Sequence, residues 1–380
     1  MISSPKLKFN TSARRAFFLS ADKLAVYHWN KGKLGSSYLF DATKEGQEYF
    51  ARYLKETPNN PAYFLVDIVE EGYRQDTIPH VYGADRKAII DRKKSRLFRD
   101  TPYFYADMQG REEEGRRDDR ILFMALTNPG ILAPWQKLLD ENKVPLAGIY
   151  SLPQLTRDIL DIIPEPADHM LVVSQQSISG LRQSFFYKQD LKISRLVGLP
   201  RYGTEPYAPY IYDEIEQIRR YLASLNLIPN EEPLDIYILA DKEILNDLEK
   251  LYIATAMLRY HPIDINLLAH ETCPSEDMKS PFCDRLLMHH LLKRRPANYY
   301  ASATETRYFQ MRNIRHMMLA ASMFMFLGSL IWGGMNFMGG ISYKQQALTA
   351  AKKFDFYNAR YEIAREKLPK IPVEPAGLKV

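Results

Sequence analysis

Ile121–Pro153, ILFMALTNPGILAPWQKLLDENKVPLAGIYSLP, is the stretch whose reading decides the fold. Ile121 to Leu126 is an unbroken apolar run of strand length, and Pro134 to Glu141 carries its apolar residues at helical spacing. Val144 to Tyr150 is a second short strand, and Leu152 to Ile163 a second helix. Strand, helix, strand, helix predicts an α/β layer.

Upstream, Phe17 to Leu19, Leu24 to Trp29 and Ser37 to Phe40 form a strand meander, with Lys31-Gly32-Lys33 as one of its turns. Glu45 to Lys55 follows as a helix with Tyr49, Phe50 and Leu54 on one face, and Ala62 to Ile68 as a buried strand. Ala84 to Arg99 is a basic helix, and Gly110 to Arg120 (GREEEGRRDDR) a polar hairpin tip. Downstream, Met170 to Ser174, Leu181 to Tyr187 and Leu191 to Val197 make a second meander. Helices at Tyr212 to Leu225 and Lys242 to Leu251 flank a strand at Leu234 to Leu239. A meander followed by α/β units occurs twice, so a duplicated, two-lobed α/β fold is expected, with lobes at 1–160 and 161–300.

A chain of 380 residues with 46% hydrophobic and 26% charged positions is long enough for two cored lobes, which excludes dominant disorder. Lys and Arg outnumber Asp and Glu by 51 to 46, a net charge of +5, too small a surplus to argue for nucleic acid. The two cysteines, Cys273 and Cys283, supply no disulfide framework and fit a reducing compartment.

The mean hydropathy of −0.35 conceals one very apolar segment. Met317–Ile341, MMLAASMFMFLGSLIWGGMNFMGGI, has no Asp, Glu, Lys or Arg and as a helix is about 37 Å long, enough to cross a bilayer. A basic linker, 301–316, precedes it. The first twenty residues hold only Ala-Phe-Phe-Leu after Arg14 and Arg15, too short for the core of an export signal, so the large N-terminal region is expected inside. The expected topology is a single-pass protein of the inner (cytoplasmic) membrane with its N-terminal domain in the cytoplasm.

After the span, Tyr343, Ala347, Ala350, Phe354, Tyr357, Tyr361, Ala364 and Leu368 alternate spacings of four and three, the seam of a coiled coil in a helix over 342–368. Pairing through the span and this seam predicts a homodimer or a heterodimer. Pro369, Pro372 and Pro375 end the helix in a Pro-rich tail, 369–380. No external globular domain is expected within these residues.

The chain resembles the actin-like inner-membrane assembly proteins of bacterial type IV pilus and type II secretion systems, the PilM, MshI and GspL types. The resemblance lies in IPHVYGADRKAIIDRKKSRLF from Ile78, in the stretch from Ile121, in SGLRQSFFYKQDLKISRL from Ser179, and in the order of cytoplasmic region, span and coiled helix. It implies an actin-like (ribonuclease H-like) fold and membrane-protein partners of a pilus or secretion platform, with a cytoplasmic motor ATPase as a further partner.

Active members of the actin-like class set two hairpin loops with a D-x-G pattern around the nucleotide phosphates. Backbone N–H groups must approach phosphate closely, and a carboxylate must hold magnesium through water. Here the first loop reads Leu19-Ser20-Ala21-Asp22-Lys23, without the glycine, and the second Ser174-Gln175-Gln176-Ser177-Ile178-Ser179-Gly180, without any acid. The adenosine position after Leu234–Leu239 reads Ala240-Asp241-Lys242 in place of a glycine pair. Ser20, Asp22 and Lys23 are the candidates for a phosphate contact, and their plainer reading is an ordinary turn. No cofactor and no ATPase activity are expected, and the fold is left as a docking platform.

No other motif nominates catalysis. The spacing Cys273-x₉-Cys283 is not that of a zinc knuckle and reads as a surface loop, and His289-His290 as a cationic helix end beside the membrane. Arg86, Arg92, Lys93, Arg96 and Arg99 on the basic helix are the candidates for docking an acidic partner or anionic lipid. Their plainer reading is a solvated face, and nucleic acid is disfavoured because no aromatics interleave with them.

Overall fold

A computed structural model describes residues 13–368 except 58, 100, 161–162, 164–166, 201–202, 229–231, 253–256 and 273–278. It divides into two units, 1–312 and 313–380.

The first unit opens with β1 (Arg14–Leu19), β2 (Lys23–Asn30) and β3 (Lys33–Asp41), an antiparallel meander. Lys31 and Gly32 both take positive φ at the β2–β3 turn, the geometry that matches strand twist in a two-residue hairpin. Then come α1 (Lys44–Glu56), capped by Thr43 Oγ1 accepting from Gly46 N at 3.1 Å, and β4 (Ala62–Val66), parallel to β1. After an insertion, α3 (Ala133–Glu141), β8 (Leu146–Ser151) and α4 (Leu152–Leu160) complete the half, giving a sheet ordered β3-β2-β1-β4-β8.

The second half repeats the plan. β9 (His169–Gln176), β10 (Gly180–Tyr187) and β11 (Asp190–Val197) form the meander, with positive φ at Lys188 and Gln189 in the corresponding two-residue turn. α5 (Tyr207–Ser224), β12 (Leu234–Ala240), α6 (Lys242–Glu249), β13 (Leu258–Asp264) and α7 (Ile265–Thr272) follow, and the sheet order is β11-β10-β9-β12-β13. The two sheets are the same topology used twice. α8 (Asp284–Arg294) then returns to pack on β1, β3 and α4 of the first half.

The expectation drawn from Ile121–Leu126 is corrected in one respect. That run lies in β7 (Asp119–Leu126), the central strand of a separate three-stranded sheet with β5 (Glu71–Ile78) and β6 (Phe104–Arg111), inserted between β4 and α3 together with α2 (Gly83–Leu97). It is not a layer-mate of β8. The reason is burial on both faces: Leu122, Met124 and Leu126 join the main core, whereas Ile121, Phe123 and Ala125 pack with Phe98 and the half-buried Ile89, Ile90 and Leu97 of α2. A strand covered on both sides reads as continuously apolar whichever sheet owns it.

The main core crosses the duplication. Phe17, Phe64, Trp135 and Tyr150 of the first half share one buried cluster with Met170, Val172, Phe186 and Tyr237 of the second, and with Leu287 and Leu291 of α8. A second cluster built on Val173, Ile211, Ile215 and Ile236 serves the second half alone.

Two smaller expectations also change. Cys283 is buried at the start of α8, its thiol bonded to Leu239 O at 3.4 Å, so it belongs to the core and not to a surface loop; Cys273 lies outside the described residues. His289 is buried against Trp29, and burial followed by the charge of Lys293 pushes its pKa down to about 4, so it is a neutral core residue and not part of a cationic helix end.

α9 (Arg307–Lys367) is one uninterrupted helix of 61 residues that begins within the basic linker and runs through the apolar stretch into the heptad segment. Its apolar window is long enough to cross a membrane, and none of that window is buried, unlike the core helix of a soluble protein. The Pro-rich tail lies outside the described residues.

Candidate functional site

The two hairpin turns that would flank a nucleotide are Ser20–Asp22, between β1 and β2, and Ser177–Ser179, between β9 and β10. In the first, Ser20 Oγ donates to Asp22 Oδ1 at 3.0 Å and accepts from Lys23 N at 3.0 Å, while Ser20 N donates to Lys23 O at 2.9 Å. Ser20, Asp22 and Lys23 are thus brought together as a self-satisfied turn, the plainer of their two readings.

The second turn is tied to carboxylates of the chain itself. Ser177 N donates to both oxygens of Asp284, at 3.1 and 3.0 Å, and Ser179 Oγ donates to Asp67 Oδ2. Asp284 sits in the first turn of α8, where the helix dipole favours an anion. Asp67, at the end of β4, accepts from Arg182 Nε at 2.7 Å, and Arg182 Nη2 also donates to Ile68 O at 3.0 Å. Arg182 and Asp67 are wholly buried, so the pair fastens β10 of the second half to β4 of the first.

Behind them Glu71 accepts from Tyr73 at 2.7 Å and from Tyr300 at 2.5 Å. Asp67 and Glu71 are therefore buried beside one guanidinium, and Asp284 is buried within electrostatic reach of Asp67. Burial raises the pKa of Glu71 against the pull of Arg182, and burial raises that of Asp284 to about 7 against its hydrogen bonds from Ser177.

Gly180 closes the second turn at φ +123°, and a Cβ there would lie 2.2 Å from Val197 O, so only glycine fits. At the adenosine position, Asp241 Oδ1 accepts from Asn266 Nδ2 at 2.8 Å, joining α6 to α7. What the arrangement does chemically is hold two halves together, with internal anions meeting the donors of the second turn.

Asp67, Arg182, Glu71 and Asp284 were not singled out from the sequence. A signal existed for two of them: Asp67 and Arg182 are lone charges inside the apolar runs AYFLVDI and LRQSFFY, and a charge so placed needs a buried partner.

The basic candidates do not converge on one site. Lys93 Nζ is paired with Asp76, and although partial burial opposes it, Lys93 and the Thr77 N–H hold the Asp76 carboxyl below its ordinary range. Arg86 Nη2 reaches Met108 Sδ at 2.7 Å. Arg92 and Arg96 are exposed, and Arg99 lies past the end of α2, also exposed. A cavity of about 410 Å³ at the far end of β10 is lined by Arg120, Lys192, Phe185 and Tyr187. Asp76 and Glu112 on the same wall offset its cations. The seam residues Ala350, Phe354, Tyr357, Tyr361, Ala364 and Leu368 are all exposed.

No family model and no curated protein matches the chain. Among solved structures, one titled PilM-PilN type IV pilus biogenesis complex is 11% identical, covers 74% of this chain and 98% of its own, and superposes with a TM-score of 0.50. The cytoplasmic domain of EpsL, an inner-membrane component of the type II secretion system of Vibrio cholerae, is 14% identical, with 71% and 100% covered and a TM-score of 0.41. A Bacteroides thetaiotaomicron protein of actin-like ATPase fold and unknown function is 12% identical, with 71% and 100% covered and a TM-score of 0.41. At such identities the likeness is one of fold alone: the α/β architecture of this chain is similar to that of the PilM-PilN structure.

Proposed function

We propose that this chain is a non-enzymatic, membrane-anchored assembly protein of a type IV pilus or type II secretion-like inner-membrane platform. Its actin-like unit docks a cytoplasmic partner, a motor ATPase or a sister subunit, and α9 tethers that unit to the membrane complex. The chain crosses the inner membrane once, with the actin-like unit in the cytoplasm.

The observation that carries this reading is the bonding of the second turn to Asp284 and Asp67. Donors that would meet a phosphate in a working actin-like ATPase are engaged by carboxylates of the chain, and a phosphate brought there would face like charge. The missing acid and glycines of the sequence pattern agree with it, and the unburied apolar helix supports the tether.

The test is a thermal melt of the full chain in detergent, with and without saturating MgATP. A ligand present at a hundred times its Kd stabilises by about 2.7 kcal/mol, a shift of several degrees. The expected outcome is a shift below about 1 °C. A magnesium-dependent rise of several degrees refutes the non-enzymatic reading.

A further inference from the structure

The cavity of about 410 Å³ lies where the inserted sheet meets the second half, with Thr77, Gln109 and Arg120 on one side and Phe185, Lys192 and Leu227 on the other. A space of that size takes a small organic molecule. Its lining is of two kinds: Phe185, which is buried, and Leu227, which is half-buried, supply apolar surface, while Arg120 and Lys192 supply positive charge.

Lys192 is 9% exposed, and its Nζ donates to Gln109 Oε1 at 2.9 Å and lies 3.9 Å from Asp190. Arg157 takes the nearby negative charge, donating to Asp190 at 2.9 Å and to Asp107 at 3.1 Å. Arg120 and Arg157 thus act on Lys192 together with only two acids, Asp107 and Asp190. Arg120 is the cation left over. Its Nη2 donates at 3.1 Å to the neutral carbonyl of Gln109, its Nε is buried with no hydrogen-bond partner, and it forms no ion pair among the described residues. Burial lowers the pKa of Lys192 against the pull of Asp190, and Arg120 adds to the fall, so the two cations repel each other at the cavity.

Asp76 and Glu112 temper the field of the cavity without bonding to Arg120. Asp76 is held by Lys93 and by Thr77 N at 2.9 Å, and Glu112 is exposed. A covered guanidinium edge with no acceptor is costly, and an anion brought to it relieves both that cost and the repulsion from Lys192. A carboxylate suits the pair of donors, because its two oxygens accept parallel N–H bonds from an arginine while a lysine adds a point charge. The apolar surface opposite then selects a carboxylate that carries an apolar body.

We propose that this cavity is a binding site for a small monocarboxylate with an apolar body, its carboxylate received by Arg120 and Lys192 and its body by Phe185 and Leu227. Arg120 belongs to β7 of the inserted sheet, the part that carries α2, whereas Phe185 and Lys192 belong to β10 and β11 of the second half. A bound molecule therefore ties the insert to the second half. Nothing in this depends on the membrane reading of α9 or on the two hairpin turns.

The test is saturation-transfer NMR on the full chain in detergent, with phenylacetate as the probe. Phenylacetamide keeps its shape without the charge, and acetate and inorganic phosphate keep a charge without the ring. Phenylacetate is expected to bind about tenfold or more tighter than any of the three. Arg120→Met should weaken it by about tenfold or more, Arg120→Lys should restore part of the loss, and Arg92→Met on the exposed side of α2 should change nothing. Thermal melts of the same samples show whether each variant is folded. Leu227→Trp, which adds bulk to the cavity wall without touching its charges, should also exclude phenylacetate and serves if Arg120→Met does not fold. No binding of phenylacetate at about 10 mM overturns the proposal. Equal binding of phenylacetamide overturns the charged end of the site, and equal binding of acetate or phosphate overturns the apolar end. Full affinity in folded Arg120→Met or in Leu227→Trp overturns the cavity as the place of binding.

Discussion

Asp284 is the residue whose behaviour reports most directly on the second turn, whose Ser177 it binds. Its carboxyl is buried, and burial lifts the folded pKa to about 7, above the ordinary aspartate value near 4. The folded chain therefore takes up the proton before the unfolded chain does. The contribution is fully present below about pH 4 and is lost as the pH rises through about 7. Asp284→Asn keeps an oxygen to accept from Ser177 N and has no charge at any pH. The variant's advantage over the parent should widen between pH 5 and pH 8 by about 2–3 kcal/mol, a melting difference that grows by several degrees. His289, whose lowered pKa works in the opposite direction as the pH falls, is common to both proteins and cancels in the comparison. A melting difference that stays the same from pH 5 to pH 8 would mean that Asp284 is not held in a costly ionised state. Arg182 is the second test at this scale. Arg182→Met strands Asp67 without its counter-charge and should cost about 3–5 kcal/mol by urea denaturation, and a loss under 1 kcal/mol would show that the pair does not bind the halves.

At the scale of elements, most strands and helices of both halves could be read from the sequence: helices from one covered face at a matching period, Phe50 and Leu54 on α1 and Ile215 and Ile218 on α5, and central strands such as β4 and β12 from short apolar runs buried throughout. The turn at Lys31-Gly32 was legible for the same local reason. What could not be read was ownership. β7 is as apolar as any central strand, and its assignment to the inserted sheet depends on pairing with β5 and β6, whose alternating, half-polar residues give little local signal. β13 and α7 were likewise unanticipated, and β13, an edge strand, has no fully buried residue. The joint between the halves was illegible because the hydrogen bonds from Arg182 and Ser179 to Asp67 span 115 and 112 residues. α2 was found but its packing was not: none of its side chains is fully buried, and it rests on the sheet through Ile89, Ile90 and Leu97. Reversing Arg92 and Arg96 to Glu should therefore leave stability within about 0.5 kcal/mol, while Lys93 keeps its pair with Asp76. If α2 is the docking face, the same double reversal weakens capture of the cytoplasmic partner. Capture at the parent level with the fold intact would remove α2 from the docking reading.

For the whole molecule, solubility and stability should separate along the chain. The buried clusters draw on β1 through Tyr300 and contain no residue of the apolar stretch 317–341. Arg307 and Arg312 anchor the start of α9 within the first unit, through Asp140 at 2.6 Å and Asn59 O at 2.9 Å. A chain stopped after Arg315 retains those contacts and loses the exposed Met, Phe, Leu and Trp side chains that water cannot accommodate. It should stay dissolved without detergent and melt within about 2 °C of the full chain in detergent, since no core contact has been removed. The full chain, freed of detergent, should aggregate or enter vesicles. A truncated chain that precipitates would mean that α9 covers part of the folded unit, and a full chain that remains monomeric in plain buffer would mean that its apolar face has some cover other than lipid.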